Sequence, residues 1–340
     1  MSKVTLLSVD LAKNIFQVAG FSNKLKLQFN RRFKRDELLE FIAQHNQVSI
    51  AMEACYSSHY WARTFESMGH KVKLLPAQFV SPFLVGNKSD KNDVVAIAEA
   101  SQREHIHAVP VKTIEQQNIQ SLHRIRDRYV STRTALMNQV QGLISEYGIA
   151  LAPGHKSFRA FLNSLSEEKY SSLSVILKHE IGHIADEYYW LADRIDAINL
   201  QFKQAVTNSP LCQIIQSVPG IGVLNASALY SAIGNGSQFK SARELSVWLG
   251  LTPKQSSSGE KLHTQGITKR GNPYLRKQLI HGARAAVSRC KTKEDRLSVW
   301  AQQLIERRGI HKATVAFASK MARLIWTLLQ KNEHYKVQPV

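Results

Sequence analysis

The first 105 residues alternate between short apolar runs and segments with helical spacing, which restricts this part of the chain to an α/β fold. Apolar residues predict three successive strands at 4–9, 15–21 and 25–29. The pattern then predicts helix, strand, helix, strand and helix at 36–44, 48–52, 58–68, 72–75 and 90–103. Three antiparallel strands followed by this alternation predict an RNase H-like (RuvC-like) domain.

Four carboxylates occupy the ends of these predicted elements. Asp10 follows the first apolar run, Glu53 follows the strand at 48–52, and Asp90 and Asp93 open a helix on one face. Each acid alone has an ordinary explanation, as a strand-end cap, a partner for Lys or Arg, or a helix N-cap. Together they predict a cluster of oxygen ligands at one end of a sheet, of the kind that binds Mg²⁺ or Mn²⁺.

Positive charge is concentrated at the C-terminal end of the chain. The net charge is +19, and residues 210–340 carry 20 Lys and Arg against 6 Asp and Glu. Such an excess predicts binding to nucleic-acid phosphates. No apolar run has the length of a membrane span and no signal peptide is recognisable, so we expect a cytoplasmic protein that associates with the nucleoid when it acts and does not bind membranes.

The middle of the chain has the spacing of two long amphipathic helices, at 122–147 and 177–202, separated by a turn at 152–154. Each apolar stripe is narrow, which is typical of a coiled-coil hairpin or a dimer arm, although packing on the same chain is equally compatible. We therefore predict a nuclease domain at 1–105, a helical linker at 106–209, a mainly α domain at 210–330 and a disordered tail at 331–340.

The last of these domains opens with a possible helix-hairpin-helix. Gly220 and Gly222 lie between two helical stretches and allow a tight turn that offers backbone N–H groups to a phosphate. An ordinary glycine-containing helix connection gives the same string. Further along, Ser256, Ser257 and Ser258 lie among cationic residues, where a hydroxyl can act as a nucleophile, although such runs are usually flexible loops.

Seven strings in this order resemble the DEDD-type insertion-sequence transposases, the family that includes the Piv invertases. They are SVDLAKN, MEACYSSHYWAR, GNKSDKNDVVAIAEA, SVPGIG, FKSARELSVWLGLTP, SSSGEK and ITKRGNPYLRKQLIHGARA. The resemblance runs from about residue 4 to residue 326. One departure is visible, since many members have Glu-Ala-Thr-Gly where this chain has Glu53-Ala54-Cys55-Tyr56.

The resemblance implies a metal-binding RuvC-like domain and a transposase domain that carries a nucleophilic serine. It makes Asp10, Glu53, Asp90 and Asp93 the metal-binding quartet and Ser258 the nucleophile, with Ser256 and Ser257 as neighbouring alternatives. It also implies DNA cleavage and rejoining through a phosphoserine, a bridge RNA that selects the target, and assembly into homodimers or homotetramers.

Five cations near the serine run are candidates for contact with the nucleic-acid backbone: Lys254, Lys269, Arg270, Arg276 and Lys277. Two other functions fit the same residues. A Holliday-junction or RNase H-type nuclease would use the carboxylates to activate water and would need no serine. A non-enzymatic nucleic-acid scaffold would use the acids only for capping and ion pairing.

Overall fold

The computed structural model describes residues 4–258 and 261–339, with the backbone alone at 256–258 and 261–264. The chain forms two compact units, Met1–Thr113 and Ile114–Val340. The predicted helical linker and the predicted C-terminal domain both lie almost wholly in the second unit.

The first unit is built on a five-stranded mixed sheet. Its strands and helices are β1 (Val4–Asp10), β2 (Ile15–Ser22), β3 (Leu27–Lys34), α1 (Arg35–Ala43), β4 (Ser49–Glu53), α2 (Ser58–Ser67), β5 (Lys71–Leu75), α3 (Ala77–Val80) and α4 (Asp90–Ser101). The strand order is β3-β2-β1-β4-β5, in which β2 is antiparallel to β1 and β3, and β4 is parallel to β1 and β5. This topology is consistent with the predicted RNase H-like fold.

Alternating side chains of the strands supply two separate cores, one on each face of the sheet. Val9, Val18 and Met52 point to one face, where they pack with residues of α1 and α2 that include the buried Trp61. Leu6, Ala19 and Ala51 point to the other face and pack against α4. Because both faces are covered, the central strands read as nearly continuous apolar runs, which explains why the sequence pattern located them.

The second unit begins with two long helices that pack along each other. They are α5 (Ile114–Ser145) and α7 (Val175–Asn208), and the shorter α6 (His155–Asn163) lies between them in sequence. Ile119 shares a core with Phe202, and Ile144 shares one with Ile181, so the two helices run antiparallel. The pair is therefore a hairpin within the chain.

The buried face of α5 differs from the predicted stripe. Ile125, Leu143 and Tyr147 belong to that stripe, yet they are 42%, 40% and 40% exposed. The residues buried on this helix are Gln116, Ile119, His123, Met137, Val140 and Ile144, of which Val140 alone belongs to the predicted stripe. Two of them are polar and reach hydrogen-bond partners, so a count of apolar spacing selects a face rotated from the buried one.

The rest of the second unit is mainly helical, as predicted. Its elements are α8 (Pro210–Gln216), α9 (Val223–Ile233), α10 (Ala242–Trp248), β6 (Pro253–Ser258), β7 (Lys261–Ile267), α11 (Pro273–Ser288), α12 (Arg296–Arg308) and α13 (Ile310–Lys331). One apolar core joins α8 to α13. Among the described helices, none is long and apolar enough to cross a membrane.

The segment at 331–340, for which the sequence predicts a disordered tail, contacts the rest of the second unit. The N–H of Tyr335 donates to Ser217 Oγ at 2.8 Å, and the N–H of Arg296 donates to the carbonyl of Gln338 at 2.9 Å. Pro339 forms an isolated antiparallel bridge with Asp295, so the contacts extend to residue 339.

Candidate active site

A row of polar residues crosses the sheet of the first unit at the end of β1. Asp10 on β1 is paired with Gln17 on β2, and Gln17 is paired with Arg32 on β3. On the other side of β1, Val9 is opposite Met52 of the parallel strand β4, so Asp10 and Glu53 take the next positions on neighbouring strands. Such strands lie about 4.8 Å apart, which places the two carboxylates side by side.

The first turn of α4 brings two more carboxylates to this row. Ser89 caps the helix by accepting a hydrogen bond from the N–H of Asn92 at 3.4 Å, so Asp90 is not the N-cap. Arg32 Nη2 lies 3.5 Å from Asp90 Oδ2, and both side chains are more than half exposed, which makes this a weak ion pair. Asp90 and Asp93 are therefore available for a role other than capping.

Three of the four predicted ligands converge in the structure. The carboxylate oxygens of Asp10, Asp90 and Asp93 lie within 4.8 Å of one another. Oxygens on opposite sides of an octahedral Mg²⁺ would be about 4.2 Å apart, so a small side-chain adjustment would let all three contact one cation. Glu53 lies outside this group, at the adjacent strand end.

Electrostatics support a cation at this cluster. Burial, followed by the charges of Asp93, Asp90 and Glu53, raises the pKa of Asp10 to about 6. Burial and the charge of Asp93 also raise the pKa of Glu53. Among the described residues, the cation that acts in the opposite direction on both groups is Lys88, a residue that the sequence pattern did not single out. The candidate ligand atoms are all carboxylate oxygens, and the protein neutralises only part of their negative charge. Such a cluster fits a hard divalent cation.

Cys55 marks the departure from the family pattern, and its thiol does not add a soft ligand. Burial, with the charges of Glu53 and Asp10, raises the pKa of Cys55 to about 11. The protonated thiol donates instead to the carbonyl of Tyr56 at 3.3 Å. The ligand set thus remains carboxylate oxygen.

In the second unit, the serine run lies on a β-hairpin where a flexible loop is the usual expectation. Ser258 is the last residue of β6 and is paired with Lys261 of β7; its side chain lies outside the described part of the structure. The run is polar throughout and lacks the apolar alternation that identifies a strand. One available signal was Gly259-Glu260, since a two-residue link with Gly first is typical of a hairpin.

The base of this hairpin is fixed by Arg276, one of the predicted phosphate contacts. Its Nη1 donates to the carbonyls of Leu249 and Arg270 at 3.3 and 3.2 Å, which joins the segments before β6 and after β7. The N–H of Lys269 also donates to the carbonyl of Gly250 at 3.2 Å. A role in positioning the hairpin therefore accounts for Arg276 without a phosphate.

The other predicted cations differ in their surroundings. Lys254 is exposed near the start of β6, and Lys269 and Arg270 are exposed just after the end of β7. Lys277 on α11 lies 3.0 Å from Asp127 and over the ring of Tyr274, so its charge is partly neutralised within the protein. The first three remain the better candidates for contact with a nucleic-acid backbone.

The two glycines of the predicted helix-hairpin-helix have different surroundings. Gly220 has φ +87°, and a Cβ added to it would lie 2.6 Å from the carbonyl oxygen of Gly282 on α11. Close packing of two backbones thus explains Gly220. Gly222 is the N-cap of α9 and has nothing within 4 Å of an added Cβ, so a contact with phosphate is compatible with its geometry.

A second group of possible metal ligands lies on α7. His179, Glu180 and His183 are exposed, and one ligand atom of each lies within 4.8 Å of the others. The i, i+4 spacing of the two histidines is the sequence signal that could have found this group.

Two family models match the chain. The Transposase IS116/IS110/IS902 family matches residues 212–298, and a second model, described as a transposase, matches residues 7–149. The second match contains Asp10, Glu53, Asp90 and Asp93, and the first contains Ser258.

Several curated proteins are similar to this chain over nearly their whole length. The transposase for insertion sequence element IS1111A of Coxiella burnetii is 40% identical over 336 residues, covering 99% of this chain and 92% of the relative. A probable family 20 transposase of Pseudomonas aeruginosa is 40% identical over 331 residues, covering 97% and 98%. The pilin gene-inverting protein of Moraxella bovis is 23% identical over 299 residues, covering 82% of each.

Proposed function

The chain belongs to the IS116/IS110/IS902 family of insertion-sequence transposases, and from this premise we propose that it cleaves and rejoins DNA by a cation-assisted attack of Ser258 on phosphorus. The observation that carries the proposal is the convergence of Asp10, Asp90 and Asp93 within 4.8 Å. A transposase acts on DNA phosphates, and this cluster is where a divalent cation would meet one.

Asp10, Asp90 and Asp93 would hold the cation, and Glu53 would complete the ligand set from the neighbouring strand end. When bound, a divalent cation withdraws charge from a phosphate oxygen and favours nucleophilic attack on phosphorus. Because Asp10 has a pKa of about 6, its carboxyl is mostly ionised at neutral pH and ready to bind a cation.

The proposed covalent step exchanges one phosphate ester for another. The Oγ of Ser258 forms a bond to phosphorus as it loses its proton to solvent, the bond from phosphorus to the 3′ oxygen breaks, and that oxygen takes a proton from solvent and leaves as a 3′-hydroxyl. The reverse attack by an exchanged 3′-hydroxyl reseals a strand and releases the serine. Because each phosphate ester that breaks is replaced by another, the bond energy is kept and no nucleotide cofactor is needed.

Serine substitutions test this mechanism. Ser258→Ala should abolish strand transfer and the covalent protein–DNA adduct, whereas Ser256→Ala and Ser257→Ala, at neighbouring positions of the same strand, should retain both. Loss of the adduct in Ser256→Ala or Ser257→Ala instead would move the nucleophile to that position. Cleavage that persists in all three single variants and yields no adduct would favour a nuclease that activates water.

The carboxylate cluster requires a separate test. Asp10→Asn should abolish cleavage in Mg²⁺ or Mn²⁺ while leaving DNA binding intact, and Glu99→Gln, an exposed carboxylate on α4, is the matched control. Unchanged cleavage by Asp10→Asn would refute the role of the cluster. Binding without cleavage by the unmodified protein under every condition would favour a scaffold.

We further propose that a bridge RNA selects the DNA target. Support comes from the family resemblance and from the excess of Lys and Arg in residues 210–340, which suits backbone recognition more than base recognition. Sequencing of RNA that copurifies with the protein tests this. A defined species from DNA flanking the gene is the expected result, and only random cellular RNA would refute it.

Assembly into homodimers or homotetramers also remains a proposal. Apolar side chains are exposed on α5 and α7 at Ile125, Leu143, Trp190 and Leu200, and just after α5 at Tyr147. Light scattering during size-exclusion chromatography should give two or four times the 38.3 kDa mass of the chain. A monomer at micromolar concentration, with and without DNA, would contradict the proposal.

A further inference from the structure

A polar cleft in the second unit lies beside the base of the serine-bearing hairpin. Its volume is about 470 Å³, and it is lined by Arg243, Ser246, Val247, Thr252, Pro253, Gln255, Ser319 and Arg323. Two walls come from α10 and α13, which pack together through a hydrogen bond of 2.7 Å between the hydroxyls of Ser246 and Ser319. The third wall comes from the start of β6.

The arrangement of charged and hydroxyl groups is repeated on the two helices. On α10, Arg243 precedes Ser246 by three residues, and on α13, Arg323 follows Ser319 by four, so each arginine shares a helical face with a serine of the cleft. Neither arginine has an ion pair among the described residues, and no carboxylate lines the cleft. Two guanidinium groups with no acidic partner suit an anion with several oxygens, such as a phosphodiester.

One further cation, Lys320, lies on α13 next to a residue of the cleft. Lys320 follows Ser319 and lies 4.1 Å from the centre of the Trp300 ring. Burial, with the positive charges of Arg296 and Arg323, lowers the pKa of Lys320. Cations are thus gathered here at an electrostatic cost, which an anionic ligand would offset.

The position of the cleft indicates which part of a bound DNA strand it would contact. Gln255 lines the cleft and is three residues before Ser258 on β6. At about 3.3 Å per residue, Gln255 lies roughly 10 Å along the strand from Ser258, a distance that one or two nucleotides of a DNA strand can span.

We propose that this cleft binds a backbone phosphate of the DNA strand on which Ser258 acts, through Arg243 and Arg323. The inference rests on the proposed function for the identity of the strand, while the phosphate-binding chemistry is argued from the cleft alone. The cleft would hold the strand in register with the hairpin, so the two arginines are positioning residues.

The test is the salt dependence of binding to a labelled 30-base-pair DNA duplex of mixed sequence. The loss of one phosphate contact reduces the slope of log affinity against log salt by about 0.9, so Arg243→Gln with Arg323→Gln should reduce it by about one. Between 50 and 200 mM salt, the affinity of the unmodified protein should then fall about three- to fourfold more than that of the double variant. Arg243→Lys with Arg323→Lys should restore the slope.

Arg307→Gln with Arg308→Gln removes the same charge from the exposed end of α12 and is the control. An unchanged slope in the cleft variant, or an equal reduction in the control, would overturn the proposal. A reduction seen only with RNA of the same sequence would also overturn it, because the cleft would then be an RNA site. Failure of the unmodified protein to form an adduct at Ser258 would refute the proposed function but would leave the salt measurement valid.

Discussion

Asp10 and Glu53 take the positions directly after Val9 and Met52, two residues that face each other across the parallel strands β1 and β4. Both strands are buried in the middle of the sheet, so the backbone of the core fixes the distance between these two acids. Asp90 and Asp93 reach the cluster from α4, which is held at the same end by the hydrogen bond from Asn30 Nδ2 to the carbonyl of Lys91 at 3.0 Å. The cluster thus depends on the sheet and on one docked helix.

Asp10→Asn should stabilise the protein in the absence of a divalent cation. The folded protein raises the pKa of Asp10 to about 6, so ionised Asp10 destabilises the fold at neutral pH, and this effect disappears as the pH falls towards 4. We expect a gain on the order of 1 kcal/mol at pH 7.5, after allowance for solvent screening. Thermal unfolding should show the gain at pH 7.5 and none at pH 4, and Mg²⁺ should stabilise the unmodified protein only.

Alkylation of Cys55 should report cation binding. The charges of Glu53 and Asp10 contribute to its pKa of about 11, so neutralisation of these charges by Mg²⁺ should lower that pKa. Each pKa unit corresponds to about a tenfold change in the fraction of reactive thiolate. Iodoacetamide labelling at pH 8, followed by peptide mapping, should therefore be faster with Mg²⁺. Labelling of Cys55 that is slowed or unchanged by Mg²⁺ would contradict this expectation.

Two glycine substitutions should separate packing from ligand binding. In Gly220→Ala, the added Cβ would lie 2.6 Å from the carbonyl oxygen of Gly282 at a φ of +87°, so we expect a loss of about 2–5 kcal/mol of unfolding free energy. In Gly222→Ala, nothing lies within 4 Å and the stability should change by less than about 1 kcal/mol. Urea titration measures both values; equal losses would show that the packing argument is wrong.

Arg276→Gln should loosen the hairpin that carries Ser258. Loss of its hydrogen bonds to the carbonyls of Leu249 and Arg270 should cost about 1–3 kcal/mol and speed amide exchange in β6 and β7. Strand transfer should fall more than DNA binding. Arg284→Gln, an exposed arginine on the same helix, is the control for charge. If Arg276→Gln loses more DNA binding than Arg284→Gln and β6 keeps its protection, Arg276 is a phosphate contact as first predicted.

His123 should make the stability of the protein dependent on pH. It is buried between Tyr274 and Ser227, with ring-to-hydroxyl distances of 2.9 and 3.0 Å. Burial and the charge of Arg126 lower its pKa to about 4. Because the unfolded chain binds a proton near pH 6.5 and the folded one does not, stability should fall as the pH drops from about 6.5 to 4, by at most about 3 kcal/mol. Urea unfolding at several pH values should show a flatter profile in His123→Gln, and the exposed His183→Gln should behave like the unmodified protein.

Much of the first unit could be predicted from the sequence because its signals are local. An apolar run followed by an acid located Asp10 and Glu53, and the spacing of Asp90 and Asp93 placed them on one helical face. The pairing of Asp10 with Gln17, and of Gln17 with Arg32, depends on strand register, which no local pattern gives. The polar row was therefore found only in the structure.

The second unit was less predictable because its important contacts join distant segments. Gly220 requires glycine because Gly282 packs against it, and Arg276 reaches two carbonyls outside its own helix. His123 fills a buried position that apolar spacing would assign to another face. A polar strand such as β6 has no hydrophobic period to reveal it.

The cap that Ser89 provides for α4 has a consequence for the order of assembly. The aligned peptide groups of a helix place about half a positive elementary charge at its N-terminus, and Asp90 and Asp93 lie in that first turn. The peptide backbone itself therefore acts as a permanent counter-charge for two of the carboxylates. On the proposed function, the protein would fold with its acids in place before it binds the ion, so a cell short of the metal would accumulate folded but inactive protein.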